Sequence, residues 1–163
     1  MPKTIADPSV RSSLSFRILL LTPKAERRWG TMTAGQMLCH IAAGMEQALG
    51  RKEDEDASNL LLRTVGRVAI LRILPKFPHG LPTSKAMSQT GVVADPSGFD
   101  ASRDKALALL EECGAWPSDR PMPTHPALGP LTNAERGILT WKHLDHHLTF
   151  VAGKRERMGK LMW

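Results

Sequence analysis

Apolar side chains recur at spacings of three and four residues over much of the chain, a pattern typical of helices that bury one face. The longest such stretch covers residues 132–153. It begins with Thr132 and Glu135 at the spacing of a capping box, in which each side chain accepts a backbone N–H of the first turn. Its apolar positions form one stripe: Ile138, Trp141, Leu144, Leu148 and Val151. The pattern predicts a long helix whose stripe faces a core.

Two further helices are predicted in the first third of the chain. Asp7, an N-cap residue followed by Pro, begins a helix that must end before Pro23. Thr33 and Gln36 form a second capping box, and Gly50 stands where a helix commonly stops. Both segments carry apolar residues at helical spacing, so we expect them to pack in one core with the long helix.

The middle of the chain carries weaker signals. Residues 58–74 are apolar almost all round apart from three arginines, so a helix is predicted there while its buried face stays ambiguous. Asp100 or Ser102 is expected to cap a short helix that Gly114 stops. Long connections rich in Pro and Gly lie on either side of it, and β-type alternation is scarce. The predicted fold class is therefore all-α, with four or five helices.

Composition limits the class of protein without identifying a function. A chain of 163 residues, 42% of them hydrophobic, can bury one core, which predicts a single domain over residues 1–153 and a basic tail over 154–163. The net charge of +6 permits nucleic-acid or lipid contacts, but no recognition motif accompanies it, so neither partner is expected. With no apolar run of bilayer length and no leader pattern, we expect a soluble cytoplasmic protein.

Histidines are concentrated in the last predicted helix. Three of the six fall within residues 143–147. His143 and His147 are four apart, so their imidazoles project from one side of the helix with Cβ atoms about 5–6 Å apart and can share one metal ion. His40, on the inward face of the second predicted helix, is the candidate for a third ligand. His146 is a geometric alternative to His147.

Three segments of the chain then resemble a known family. Residues 29–40 (WGTMTAGQMLCH), 125–131 (HPALGPL) and 142–148 (KHLDHHL) are similar, in order and spacing, to the motifs W-G-x-M-x-x-x-Q-M-x-x-H, H-P-x-F-G-x-L and K-H-L-D-H-H-L. These motifs mark a branch of the DinB-like (YfiT-type) superfamily, a branch of unknown function. Two departures stand out: Leu128 replaces the preferred Phe, and the segment Leu148-Thr149-Phe150 lacks the Arg-Gln that often follows the second histidine.

The resemblance implies both a fold and a site. The fold would be a DinB-like four-helix bundle with long crossover connections and one or two extra short helices. Residues 100–114 would supply the third bundle helix, and 58–74 an added element. A divalent transition metal would lie in the interior, held by His40, His143 and His147.

Three neutral imidazoles with one open coordination position are typical of a catalytic metal site. The charge of the ion favours deprotonation of a bound water or thiol. All-imidazole ligation suits Zn, Ni, Cu or Fe without choosing among them, and Zn or Ni is the ion expected here. The resemblance implies a thiol S-transferase-type reaction, with a low-molecular-weight thiol as cosubstrate, or a hydrolase-type reaction on a small-molecule substrate. A metalloprotease is excluded because Leu144 stands where its H-E-x-x-H motif requires Glu. The alternative is a non-catalytic binding or interaction protein with a structural or vestigial metal site.

Three other residues are candidates to line the pocket or to support the ligands. Gln36 lies one turn before His40, with helix capping as its plainer role. His146 flanks the ligand pair, and His125 either lines the pocket or packs its own loop. No residue is identified as a general base. Exposed helix faces are also compatible with a homodimer.

Overall fold

The computed structural model describes residues 2–77, 87 and 98–150. Its four α-helices are α1 (Pro8–Leu19), α2 (Ala34–Ala48), α3 (Phe99–Gly114) and α4 (Asn133–Phe150), and two π-helical segments cover Leu62–Gly66 and Ala69–Ile73. Within these described ranges no strand forms, and an isolated bridge joins His125 to Gly129. The all-α fold class is therefore confirmed.

Local capping chemistry determines where α1 and α2 begin. The Asp7 side chain accepts a hydrogen bond from the Ser9 N–H at the start of α1. At the start of α2 both halves of the capping box are formed, because Thr33 Oγ1 accepts from Gln36 N–H and Gln36 Oε1 accepts from Thr33 N–H. Gly50, just beyond α2, has a φ of 74°. The predicted ends of both helices are confirmed.

Replacing Thr33 with Ala is expected to lower the free energy of unfolding by about 1 kcal/mol, because the Gln36 N–H loses the Thr33 hydroxyl oxygen that accepts its hydrogen bond. Urea denaturation measures the loss. Ser12→Ala is the control, since Ser12 lies inside α1 and its hydroxyl only donates to the Pro8 carbonyl on an exposed face. Equal stability of the two variants would contradict the expectation.

The start of α4 is also as predicted. Glu135 N–H donates to Thr132 Oγ1 over 3.2 Å, and Thr132 N–H donates to Glu135 Oε2 over 2.9 Å. Of the predicted apolar stripe, Leu144 and Leu148 are buried at 0% and 6% exposure. The last predicted residues of this helix, 151–153, and the predicted tail lie outside the described residues.

The predicted start of α3 is wrong. The helix begins at Phe99 without a side-chain cap, so neither Asp100 nor Ser102 caps it. Asp100 instead pairs with Arg103 in the first turn. Phe99 is only 3% exposed, so tertiary packing of its ring anchors this end of the helix in place of a local hydrogen bond.

Residues 60–73 are helical, but two stretches of that segment have π-helical hydrogen bonding. Leu71 is the side chain it buries, against Leu128 and Leu139 in a second, smaller hydrophobic cluster. Its outer face exposes large apolar side chains: Leu60, Leu61, Val65, Val68 and Ile73. The buried face that the sequence left ambiguous is therefore the one that bears Leu71.

The main core lies where the α-helices meet. Helix α2 packs against α3 and α4, and α1 also packs against α3 and α4. The fully buried side chains come from all four helices and the N-terminal segment: Ile5, Leu14, Ile18, Met37, Leu38, Ile41, Met45, Leu110 and Leu144. In the portion of the chain that is described, no helix has both the length and the apolar character needed to cross a bilayer. This packing brings the middle of α2 against the C-terminal half of α4.

Candidate metal centre

The three histidines that the sequence singled out lie together at the contact between α2 and α4. His40 projects from α2 and is 3% exposed, while His143 and His147 project from successive turns of α4. One ring nitrogen from each lies within 4.8 Å of the other two. His40 Nε2 and His143 Nε2 are 3.0 Å apart. The side chains are therefore close enough to share one ion.

The rings meet edge to face. Ring centroids are 5.0 Å apart for His40 and His143, 4.5 Å for His40 and His147, and 4.8 Å for His143 and His147. The ring planes are inclined by 64° to 86°. No two of these rings stack face to face, and one nitrogen of each lies within 4.8 Å of the other two.

Burial keeps all three imidazoles neutral near pH 7. Loss of hydration lowers the pKa of His40, and it lowers the pKa of His147 to about 3. Loss of hydration and then the neighbouring rings hold the pKa of His143 well below its usual range. A neutral imidazole is the form that binds a metal ion, whereas an imidazolium has no free lone pair. The protein therefore keeps these nitrogens available as ligands.

A backbone carbonyl orients His40. His40 Nδ1–H donates to the carbonyl oxygen of Met87 over 2.9 Å. A carbonyl can only accept, so the proton of the neutral ring is on Nδ1 and the lone pair on Nε2 faces His143. This arrangement is typical of metal-binding histidines, whose second ring nitrogen is held by a carbonyl or a carboxylate.

Aromatic side chains flank the histidine cluster. Trp29 lies with its ring centroid 4.6 Å from His146 and 6.5 Å from His147. Phe77 lies 6.0 Å from His146 and 6.3 Å from His143. Phe77 was not predicted from the sequence, where its only local signal is that it is one of four phenylalanines in a chain poor in aromatic residues.

His146 is not part of the set of ligand atoms that the described residues bring together. Its ring contacts those of Trp29 and Phe77 and lies 5.1 Å from the His147 ring. It therefore lies beside the cluster, near two aromatic side chains.

The other two candidate residues hold backbone groups. Gln36 Oε1 accepts the Thr33 N–H of the capping box. His125 Nδ1 accepts the N–H groups of Ala127 and Leu128 over 3.0 and 3.1 Å, and burial followed by the charge of Arg136 lowers its pKa to about 4. These contacts match the plainer roles, helix capping for Gln36 and loop packing for His125.

Lys142 has a role that the sequence analysis missed. Its Nζ donates to the carbonyl oxygens of Ile70 and Leu74 over 2.6 Å each and to that of Leu71 over 3.3 Å. Lys142 is 6% exposed, and loss of hydration lowers the pKa of its amine. The sequence around Lys142 carries no signal for this role, because its partners lie about 70 residues earlier in the chain. Through these hydrogen bonds, Lys142 connects the end of the 60–73 segment to α4 beside the histidine cluster.

Asp145 pairs with α1. Arg17 Nη1 donates to Asp145 Oδ1 over 2.6 Å, and both side chains are partly buried. The carboxylate is therefore engaged with a guanidinium between two helices and contributes no ligand to the cluster.

A family model described as "Protein of unknown function (DUF1569)" matches residues 15–154, which include all six candidate residues. No curated protein and no solved structure matches the chain.

Proposed function

We propose that this chain, which belongs to the family described as "Protein of unknown function (DUF1569)", binds one divalent metal ion through His40, His143 and His147 and uses it to act on a small molecule. We further propose that its fold is a DinB-like four-helix bundle within a single domain. Helix α3 contacts α1 and α2, and both of those contact α4, so the contacts close a ring of four helices, which supports the bundle.

The observation that carries the proposal is the convergence of three neutral imidazole nitrogens from two helices within 4.8 Å. Nitrogens bound to one tetrahedral Zn²⁺ lie about 2.0–2.1 Å from the ion. His40 Nε2 and His143 Nε2, which are 3.0 Å apart, are close enough to bind the same ion. An all-imidazole donor set suits Zn²⁺ and Ni²⁺, and three protein ligands leave a position for a substrate or a water molecule.

The bound ion would supply Lewis-acid chemistry, lowering the pKa of a coordinated thiol or water toward neutrality. The reactions this supports are transfer of a low-molecular-weight thiol to a small electrophile, or hydrolysis. The protein's own residues would set the geometry. The Met87 carbonyl holds the His40 ring in one tautomer, and the Trp29 and Phe77 rings lie beside His147 and His143.

Metal titration tests the proposal. Purified, metal-free protein is expected to bind one equivalent of Zn²⁺ or Ni²⁺, measured by competition with a chromophoric chelator. His143→Ala is expected to weaken binding at least about 100-fold, because a ligand nitrogen is lost at a site where even supporting residues are worth 10–100-fold.

His125→Asn is the matched control for this titration. It removes a partly buried imidazole outside the ligand set, while Asn Oδ1 can still accept the loop N–H groups. Circular dichroism verifies that both variants fold. Equal metal affinity of wild type and His143→Ala would contradict the proposal.

The absorption spectrum of the Co²⁺-loaded protein separates an open site from a closed, structural one. Adding a small thiol is expected to change the ligand-field bands and to produce a sulfur-to-cobalt charge-transfer band, because a thiolate can occupy the free position. A spectrum unaffected by thiol and by other small anions would favour the non-catalytic alternative.

A further inference from the structure

Gly44 lies in α2, one turn after His40, and its missing side chain leaves space that another residue occupies. A Cβ atom built at Gly44 would stand 3.0 Å from His143 Cε1 and 3.2 Å from His143 Nδ1. It would also stand 3.1 Å from Met87 Cε. Optimal carbon–carbon contact is about 3.5–4.0 Å, so a side chain at position 44 would require the His143 ring to shift by a few tenths of an ångström.

Backbone conformation does not explain this glycine. The glycines of positive φ among the described residues are Gly30, Gly50 and Gly129, and Gly44 has an ordinary helical backbone that Ala would also adopt. Gly inside a helix costs about 1 kcal/mol relative to Ala. Gly44 therefore makes α2 less stable than Ala would at the same position. The close approach of His143 explains why this position has no side chain.

From these contacts we infer that Gly44 is a positioning residue for the metal site, an inference that rests on the proposed function. The space above Gly44 lets the His143 ring lie against the backbone of α2. In that position its Nε2 reaches to 3.0 Å from His40 Nε2, which projects from the previous turn of the same helix. The atom that a Cβ would press is Cε1, which is bonded to both ring nitrogens. Pushing it outward displaces the ligand nitrogen whichever tautomer binds.

Gly44→Ala tests the inference, with Zn²⁺ affinity and the free energy of unfolding measured on the same protein. The variant is expected to bind Zn²⁺ about 10-fold more weakly than wild type. Its metal-free form should unfold at an equal or higher urea concentration, because Ala favours the helix. Opposite effects on stability and affinity distinguish positioning from a general packing defect, which would lower both.

Gly98→Ala is the matched control, because a Cβ at Gly98 meets no atom within 4 Å. It should change Zn²⁺ affinity less than twofold. A second variant identifies the displaced group: Gly44→Ala combined with Met87→Ala relieves the contact with Met87 Cε and leaves the contact with His143. Wild-type affinity in Gly44→Ala, or its restoration in the double variant, would overturn the assignment to His143.

Failure of this inference is distinguishable from failure of the proposed function. In metal-free wild type, proton NMR is expected to show a nuclear Overhauser effect between His143 Hε1 and the Gly44 Hα protons. If the effect is seen and no ion binds, the proposed function is wrong while the packing of His143 on Gly44 stands. If wild type and Gly44→Ala bind Zn²⁺ equally well, the positioning role alone is wrong.

Discussion

Lys142→Met is expected to lower the free energy of unfolding by about 2–3 kcal/mol, because hydrogen bonds to a charged donor contribute about 1.5–3 kcal/mol. Met fills the space of the aliphatic stem but donates no hydrogen bond. The carbonyls of Ile70, Leu71 and Leu74 then lose a shared donor, at a helix end where backbone acceptors lack intrahelical partners. Each unsatisfied buried acceptor costs about 1–3 kcal/mol, less where water reaches it.

Chemical denaturation at pH 7 measures this loss, with Lys105→Met as the control. Lys105 carries the same side chain on α3, but it is 55% exposed and its partner is the Glu46 carboxylate at 2.7 Å. Exposed ion pairs contribute about 0–1 kcal/mol, so Lys105→Met should be nearly neutral. Similar losses in the two variants would show that Lys142 does not fasten the 60–73 segment to α4.

Lowering the pH from 7 to 4 is expected to destabilise the metal-free protein by several kcal/mol. In the unfolded chain a histidine has a pKa near 6.5, whereas burial lowers the folded pKa of His125 to about 4 and that of His147 to about 3. Between these values the unfolded state binds protons that the folded state does not, so acid favours unfolding. The loss begins near pH 6.5 and is complete near pH 4 for His125 and pH 3 for His147.

The His125→Asn variant isolates the contribution of one histidine to this pH dependence. Asn Oδ1 can accept the N–H groups of Ala127 and Leu128 as the histidine Nδ1 does, but it does not titrate. The variant should therefore match wild type at pH 7 and lose about 3 kcal/mol less by pH 4, since a pKa shift of one unit is worth about 1.4 kcal/mol. Urea denaturation at several pH values, in the presence of a chelator, measures how the free energy of unfolding of each protein depends on pH. The same pH dependence in wild type and His125→Asn would show that the imidazole of His125 is not held neutral in the folded state.

Much of the site could be predicted because its signals are local. The spacing of His143 and His147 places both rings on one side of any helix that contains them, whatever surrounds it. His40 was identified because its helix has a capping box and a clear apolar face, and both features can be recognised from the local sequence alone. The grouping of the three rings then agrees with the structure.

The missed features depend on contacts between distant segments. Nothing near Lys142 in sequence indicates that the carbonyls of residues 70–74 lie beside it, and nothing near Phe77 indicates a histidine. For α3 the local rule was misleading, because the burial of Phe99 placed the helix start ahead of the polar residues that could have capped it.

Local sequence signals were sufficient to predict the all-α class, the caps of α1, α2 and α4, and the three histidines that lie together. These features depend on hydrogen bonds and periodicities within a few residues. The π-helical form of the 60–73 segment, its attachment through Lys142 and the close approach of His143 to Gly44 became visible only in the folded protein. The physical reason is that buried carbonyl groups need hydrogen-bond donors and the space between packed helices must be filled by side chains. Both conditions depend on which helices are neighbours, and local sequence does not specify that.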